Sequence, residues 1–144
     1  MKLEYNDLIS QVRHKLVNTE SGGNPKALGP DTKGDKKSLR DNAMGLWQIM
    51  PDTWDWIAKQ VPEIDPKKPF DGPNNEKAGR WYMNYLLKRF KGNLPLAVAA
   101  YHTGEGTIGE LADQFGHNIK SIYPRLGPNG QQYVVKIFGK GVLA

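Results

Sequence analysis

Glu20 is the carboxylate whose surroundings most invite chemistry. It closes an apolar-periodic stretch and is followed at once by Ser21-Gly22-Gly23-Asn24-Pro25, so its side chain belongs at the rim of a core with one side open. Desolvation there raises a carboxyl pKa toward the ~6 that suits a general acid at neutral pH. The same position also accommodates an ordinary exposed glutamate beside Ser21, and position alone leaves both readings open.

Other chemistries fail on residue type. The chain has no cysteine, which excludes disulfides, a thiolate nucleophile and sulfur-based zinc sites. No Gly-x-Ser-x-Gly elbow is present, and His14, His102 and His117 are not at a metal-binding spacing, so neither metal nor cofactor is expected. Gly104-Glu105-Gly106 lacks the Lys-Ser/Thr of a phosphate loop and follows a helical pattern rather than a strand.

The elements that must position Glu20 are helical. Leu8, Ile9, Val12, Leu16 and Val17 recur at spacings of three and four and predict a helix over Leu3–Thr19, stopped by Gly22, Gly23 and Pro25. Residues 26–42 are polar and predict a long loop, mobile over 30–42 at the mouth of a cleft. Pro51 opens a second helix that Pro62 ends, and Asp65–Pro73 forms a connector. Ala78, Trp81, Tyr82, Tyr85, Leu86 and Phe90 share one face of a central helix ending in Lys88 and Arg89. Asn93 is a candidate cap for the apolar run Leu94–His102, which Gly104 and Gly106 terminate. Short helices are expected over Ile108–Phe115 and Ile119–Tyr123. A last helix is expected over Gln131–Phe138, although Val134-Val135 also fits a strand. The class is all-α, in one domain spanning residues 1–144, with 38% hydrophobic residues to form its core.

Charge and hydropathy narrow the partners. Twenty Lys and Arg against fifteen Asp and Glu give +5, with a pI near 9.4, which predicts attraction to a polyanion. The basic residues are dispersed and match no nucleic-acid motif, so nucleic acid is not expected. Mean hydropathy is −0.62 and no apolar run reaches membrane-spanning length. Glu4 and Asp7 interrupt the stretch where a signal peptide would be apolar, so export by an ordinary leader is not expected.

Four motifs in order then resemble the lytic transglycosylases of the soluble-lytic-transglycosylase type, which share the lysozyme-like fold with goose-type lysozymes. Glu20-Ser21-Gly22-Gly23-Asn24-Pro25 resembles Glu-Ser-x-x-Asn-Pro, and Gly45-Leu46-Trp47-Gln48-Ile49-Met50-Pro51 resembles Gly-Leu-Met-Gln-Ile-Met-Pro. Ala100-Tyr101-His102-Thr103-Gly104 resembles Ala-Tyr-Asn-x-Gly, and Tyr133-Val134-Val135-Lys136-Ile137 is a looser match. The sequence departs from the family at Trp47 (usually Met), at His102 (usually Asn), at Asn129 (usually acidic) and in the longer spacing between Glu20 and Gln48.

The resemblance implies cleavage of the β-1,4 bond between N-acetylmuramic acid and N-acetylglucosamine in peptidoglycan glycan strands, with a 1,6-anhydro product. Glu20 is the implied acid and then base, a single-carboxylate variant of glycosidase chemistry. Gln48 would donate to a sugar or acetyl oxygen, and Tyr101 would orient the acetamido group or Glu20. Met50 and Trp47 would form an apolar floor, and Ser38 and Tyr133 would contact sugar. Core packing is the competing reading for Gln48, Met50, Trp47 and Tyr101, and Ser21 is expected to bond backbone at the helix exit. A cofactor-free monomer acting on the bacterial wall is expected; the small size, the expected lack of a leader and the Gly104-Glu105-Gly106 sequence together resemble phage-borne wall hydrolases, with a secretion-system-associated bacterial homologue as the alternative origin. Two rivals stay open: a hydrolase placing water with Asp31, Asp35 or Asp41, and a non-catalytic glycan-binding module.

Overall fold

The computed structural model describes residues 1–30 and 42–144. Ser38, Asp31, Asp35, Asp41 and all but the two ends of the expected 30–42 loop lie outside the described residues. Among those described, regular structure consists of seven α-helices and short 3-10 turns, with isolated β-bridges and no strand, as an all-α chain requires. The chain divides into two compact units. One contains Met1–Leu3 and Leu16–Tyr82, the other Glu4–Lys15 and Met83–Ala144.

The first unit holds the end of α1 (Asn6–Ser21), all of α2 (Pro51–Gln60) and the start of α3 (Gly72–Arg89). α1 begins three residues later than the periodicity predicts and runs two further, so Glu20 sits in its last turn. It stops because Gly22 and Gly23 adopt φ of +65° and +79°, which Cβ-bearing residues rarely enter. α2 starts at Pro51 and ends before Pro62, whose ring disfavours helical backbone in the residue preceding it.

α3 corrects the expected face. Ala78, Leu86 and Phe90 are buried, but Trp81, Tyr82 and Tyr85 are only half-buried. In their place the helix buries small and amide side chains: Asn74, Asn75, Gly79 and Asn84 together with Met83 and Leu87. Such amides are admitted to an interior only when their polar atoms are bonded. Within the first unit Asn74 Nδ2 donates to the carbonyls of Asp65 (2.8 Å) and Lys68 (2.9 Å), so the Pro-rich connector is tied to the helix that follows it.

The second unit holds most of α1, the end of α3, and α4 (Leu94–Thr103), α5 (Glu105–Phe115), α6 (Ile119–Ile122) and α7 (Gly127–Phe138). Asn93 caps α4, its Oδ1 accepting from Leu96 N at 3.2 Å, and Leu94 and Leu96–Ala100 are buried. Such a cap is worth about 1 kcal/mol. α4 packs on both α5 and α7. Gly104 alone, at φ +107°, ends α4; Gly106, expected to help stop it, lies inside α5, which starts at Glu105 rather than near Ile108. The last segment is helical from Gly127, so Val134-Val135 is no strand; Val134 and Tyr133 are buried helix residues.

Candidate functional site

In the first unit the two early motifs are joined by main-chain geometry. After the Gly22-Gly23 stop, Asn24 makes a turn: its Oδ1 accepts from Lys26 N at 3.0 Å and its carbonyl from Ala27 N at 3.2 Å. The chain then extends, and Leu28 pairs antiparallel with Met44, which in turn pairs with Ile49. Reciprocal bonds between Met44 and Ile49, 3.0 and 3.1 Å, make Gly45-Leu46-Trp47-Gln48 the tip of a tight hairpin. Gly45 at φ +76° and Gln48 at φ +49° turn it, and Met50 follows as the N-cap residue of α2. Asn42, at the end of the expected polar loop, is buried, and its Nδ2 bonds Gly29 O.

Glu20 is half-buried in the last turn of α1. Ser21 behaves as expected, its Oγ donating to Val17 O (3.1 Å) and accepting from Gly23 N (3.2 Å), which fixes the backbone just past Glu20.

Gln48 corrects its expected role. Its Nε2 donates to Ala27 O and to Gly45 O, both at 3.0 Å, so both amide hydrogens are consumed by main-chain carbonyls. The amide ties the stretch after Glu20 to the hairpin and leaves Oε1, an acceptor, as its remaining polar atom. Trp47 is corrected more sharply. It is 0% exposed and forms no sugar-facing floor; its Nε1 donates to Glu76 Oε1 (3.0 Å), and its indole fills the space where a Cβ on Gly79 would stand. Met50 is half-buried.

Sequence reasoning missed Asn75. This side chain is 0% exposed and holds the hairpin from below: Oδ1 accepts from Trp47 N (2.9 Å), and Nδ2 donates to Met44 O (3.1 Å) and Pro69 O (2.8 Å). It lies so close to Gly45 that a Cβ there would strike it. The only available signal was an Asn pair in the first turn of a helix, which reads equally well as solvated surface.

In the second unit the two late motifs meet. His102 stacks on Tyr133 with ring centroids 4.5 Å apart and planes at 30°. The outer side of the imidazole is open to solvent, but desolvation of the covered side lowers its pKa from the ordinary 6.5. Tyr133 is buried and Tyr101 half-buried in α4. Glu105, at the first position of α5, accepts from Tyr85 OH at 3.0 Å, while its buried Oε2 lies 3.5 Å from Arg89 Nε. Burial, then the hydrogen bond and charge of Glu105, push the Tyr85 phenol up, against the opposing Arg89 charge. No cluster of three or more His, Asp or Glu able to hold a metal occurs among the described residues.

A profile of the transglycosylase SLT domain family matches residues 4–123. The chain belongs to that family. The soluble lytic murein transglycosylase of Salmonella typhimurium (strain LT2) is 30% identical over 119 residues, covering 74% of this chain and 17% of that protein. The membrane-bound lytic murein transglycosylase D of Escherichia coli (strain K12) is 38% identical over 68 residues, 46% of this chain and 15% of that protein. The SLT domain chain thus spans less than a fifth of either curated relative.

Solved structures share its fold. The 70 kDa soluble lytic transglycosylase of Escherichia coli superposes with a TM-score of 0.74 at 23% identity, over 94% of this chain and 23% of that one. An inactive variant of the lytic transglycosylase Slt from Pseudomonas aeruginosa gives 0.74 at 21% identity, over 94% and 22%. The fold is therefore the all-α, lysozyme-like fold of these SLT domains.

Proposed function

We propose that this SLT domain cleaves the β-1,4 bond between N-acetylmuramic acid and N-acetylglucosamine in peptidoglycan, with Glu20 as its one catalytic carboxylate. The observation that carries the reading is the half-buried Glu20 in the last turn of α1, held just before a double-glycine stop, in a chain of this family.

The protonated Glu20 gives its proton to the glycosidic oxygen as the bond from the anomeric carbon to that oxygen breaks. The 2-acetamido oxygen of the muramoyl residue supports the anomeric carbon meanwhile. Glu20, now a carboxylate, takes the proton of the muramoyl 6-hydroxyl as O6 bonds to the anomeric carbon and closes the 1,6-anhydro ring. One C–O bond is exchanged for another, the proton returns to Glu20, and no water is consumed. A single carboxylate that acts first as acid and then as base needs both of its forms within reach at the working pH.

Gln48 contributes through Oε1, an acceptor for a sugar hydroxyl or acetamido N–H, because its donors are occupied. Met50 adds apolar surface beside it. Tyr101 and Tyr133 are further sugar-contacting candidates on the resemblance of their motifs. The domain is read as acting alone, as a monomer, on the cell wall. The likeness of Gly104-Glu105-Gly106 to phage-borne hydrolases favours delivery in a virion, which detection of the chain in purified particles would support.

The test is Glu20→Gln with muropeptide mass spectrometry. Activity should fall by two or more orders of magnitude while the thermal transition stays in place, because an amide can neither give nor take the proton. Wild-type products should end in 1,6-anhydro-N-acetylmuramic acid. Reducing ends carrying oxygen-18 from labelled water would establish a hydrolase instead, and no cleavage by the wild type would leave only a binding module.

A further inference from the structure

The second unit carries a cleft that the catalytic reading does not use. α7 sends Tyr133, Val134 and Ile137 into the interior. Its other side, with Gln131, Gln132, Val135 and Lys136, joins Tyr123 and Lys140 around an open cleft of about 410 Å³. That volume lies within the range of small-ligand sites. Apart from Tyr123, these residues fall beyond the stretch matched by the family profile, residues 4–123.

The chemistry of the lining is specific. It contains no acidic side chain, and neither Lys136 nor Lys140 has an ion-pair partner among the described residues. Two ammonium groups on one cleft without a counter-charge attract an anion. Gln131 is oriented: its Nε2 donates to Tyr123 O at 3.1 Å, which leaves Oε1 as an acceptor, while exposed Gln132 offers a whole amide. The half-buried Tyr123 ring and Val135 supply apolar surface. An apolar wall, amides that bond hydroxyl and acetamido groups, and paired cations match a sugar ring that carries an acid.

We propose that this cleft is a second, non-catalytic binding site for a carboxylated saccharide, a segment of glycan strand. That the saccharide is peptidoglycan rests on the function proposed above; the preference for an acidic sugar rests on the cleft alone. Such a site would hold the enzyme on an insoluble strand between cleavage events, raising the effective concentration of the next bond.

The full chain carrying Glu20→Gln, which binds without cutting, is titrated with a peptide-free tetrasaccharide of alternating N-acetylglucosamine and N-acetylmuramic acid. Amide NMR shifts are followed. Residues 123–140 should show saturating shifts, and Lys136→Gln/Lys140→Gln should weaken them about five-fold or more. Neutral chitotetraose should bind there about five-fold more weakly, and inorganic phosphate should give no saturating shift. In the Glu20 background the double substitution should leave turnover of the soluble tetrasaccharide unchanged and raise the half-saturating concentration of sacculi about three-fold. Unshifted cleft amides, equal response to chitotetraose, saturation by phosphate alone or indifference to the double substitution would each overturn the proposal. A wild-type chain that binds at the cleft but cuts nothing would overturn the catalytic reading and leave this one standing.

Discussion

At the scale of single residues, the side chain with the most at stake after Glu20 is Asn75. Removing its amide takes the Asn75 bond from Trp47 N and Pro69 O and leaves Met44 O with only the bond from Ile49 N. Each lost buried bond costs about 1–3 kcal/mol, so Asn75→Ala should destabilise by about 3–5 kcal/mol in total, a fall in Tm on the order of 10 °C. Asn75→Asp is the sharper comparison: it keeps an acceptor for Trp47 N but sets a carboxylate oxygen against two carbonyls, and should be no more stable than the alanine variant in a thermal melt.

His102 makes a prediction with a definite sign. Its folded pKa is lowered by desolvation, so the unfolded chain binds a proton at a higher pH than the folded one does. Stability should therefore be complete above about pH 6.5 and fall as the pH drops from there through the folded-state titration. Urea denaturation at pH 7.5 and pH 5 should show this loss in the wild type, and His102→Gln should show less of it. An equal acid dependence in both proteins would assign the loss to other groups.

At the scale of elements, α3 shows what hydropathy patterns reveal and what they hide. Helix positions, the Asn93 cap, the stops at Gly22 and Gly104 and the start at Pro51 were legible, because each rests on backbone preferences local to a few residues. Glu20 at a helix end was legible for the same reason. The buried face of α3 was not. Its amides find partners far along the chain, Asn75 with Met44 and Trp47, Asn84 with the main-chain N–H of Tyr5, and no local period encodes a distant carbonyl. The aromatic type of Trp47 fits both a sugar platform and core packing, and the structure takes the second: its indole packs against Gly79 and bonds Glu76.

That packing reverses a usual rule. Gly→Ala within a helix commonly gains up to about 1 kcal/mol in helix propensity. At Gly79 the added methyl would run into the indole of Trp47, a fully buried ring with no free direction to move. Gly79→Ala should accordingly lower stability by a net of about 1–3 kcal/mol, measured by chemical denaturation, and Trp47→Leu in the same chain should recover part of it. A more stable Gly79→Ala protein would contradict the packing.

At the scale of the whole molecule, the surplus of five positive charges would set the terms of encounter with an anionic wall, the substrate of the proposed function. Wall binding should weaken as ionic strength rises, since a Debye length of about 8 Å at 0.15 M salt shrinks to about 3 Å at 1 M. In turbidity assays on sacculi the half-saturating substrate concentration should rise several-fold between 50 mM and 500 mM NaCl, with little change in the maximal rate. A rate that collapses while half-saturation holds steady would locate the salt effect in the chemistry instead. No helix among the described residues is long and apolar enough to cross a membrane.

The left-handed backbone at Gln48 bears on how the domain can be improved by selection. An ordinary side chain in that conformation costs about 1–2 kcal/mol, a cost that glycine would remove. Gln48 nevertheless keeps an amide there, one hydrogen lashing the hairpin to Ala27 after Glu20 and the other closing the hairpin on Gly45 O. A mutant library screened for heat resistance and the same library screened for lysis therefore weigh this codon differently: the first balances relieved strain against a lost clamp, the second also tests the sugar contact proposed for its oxygen. A screen for thermal survival alone is the wrong instrument for improving the enzyme at this position.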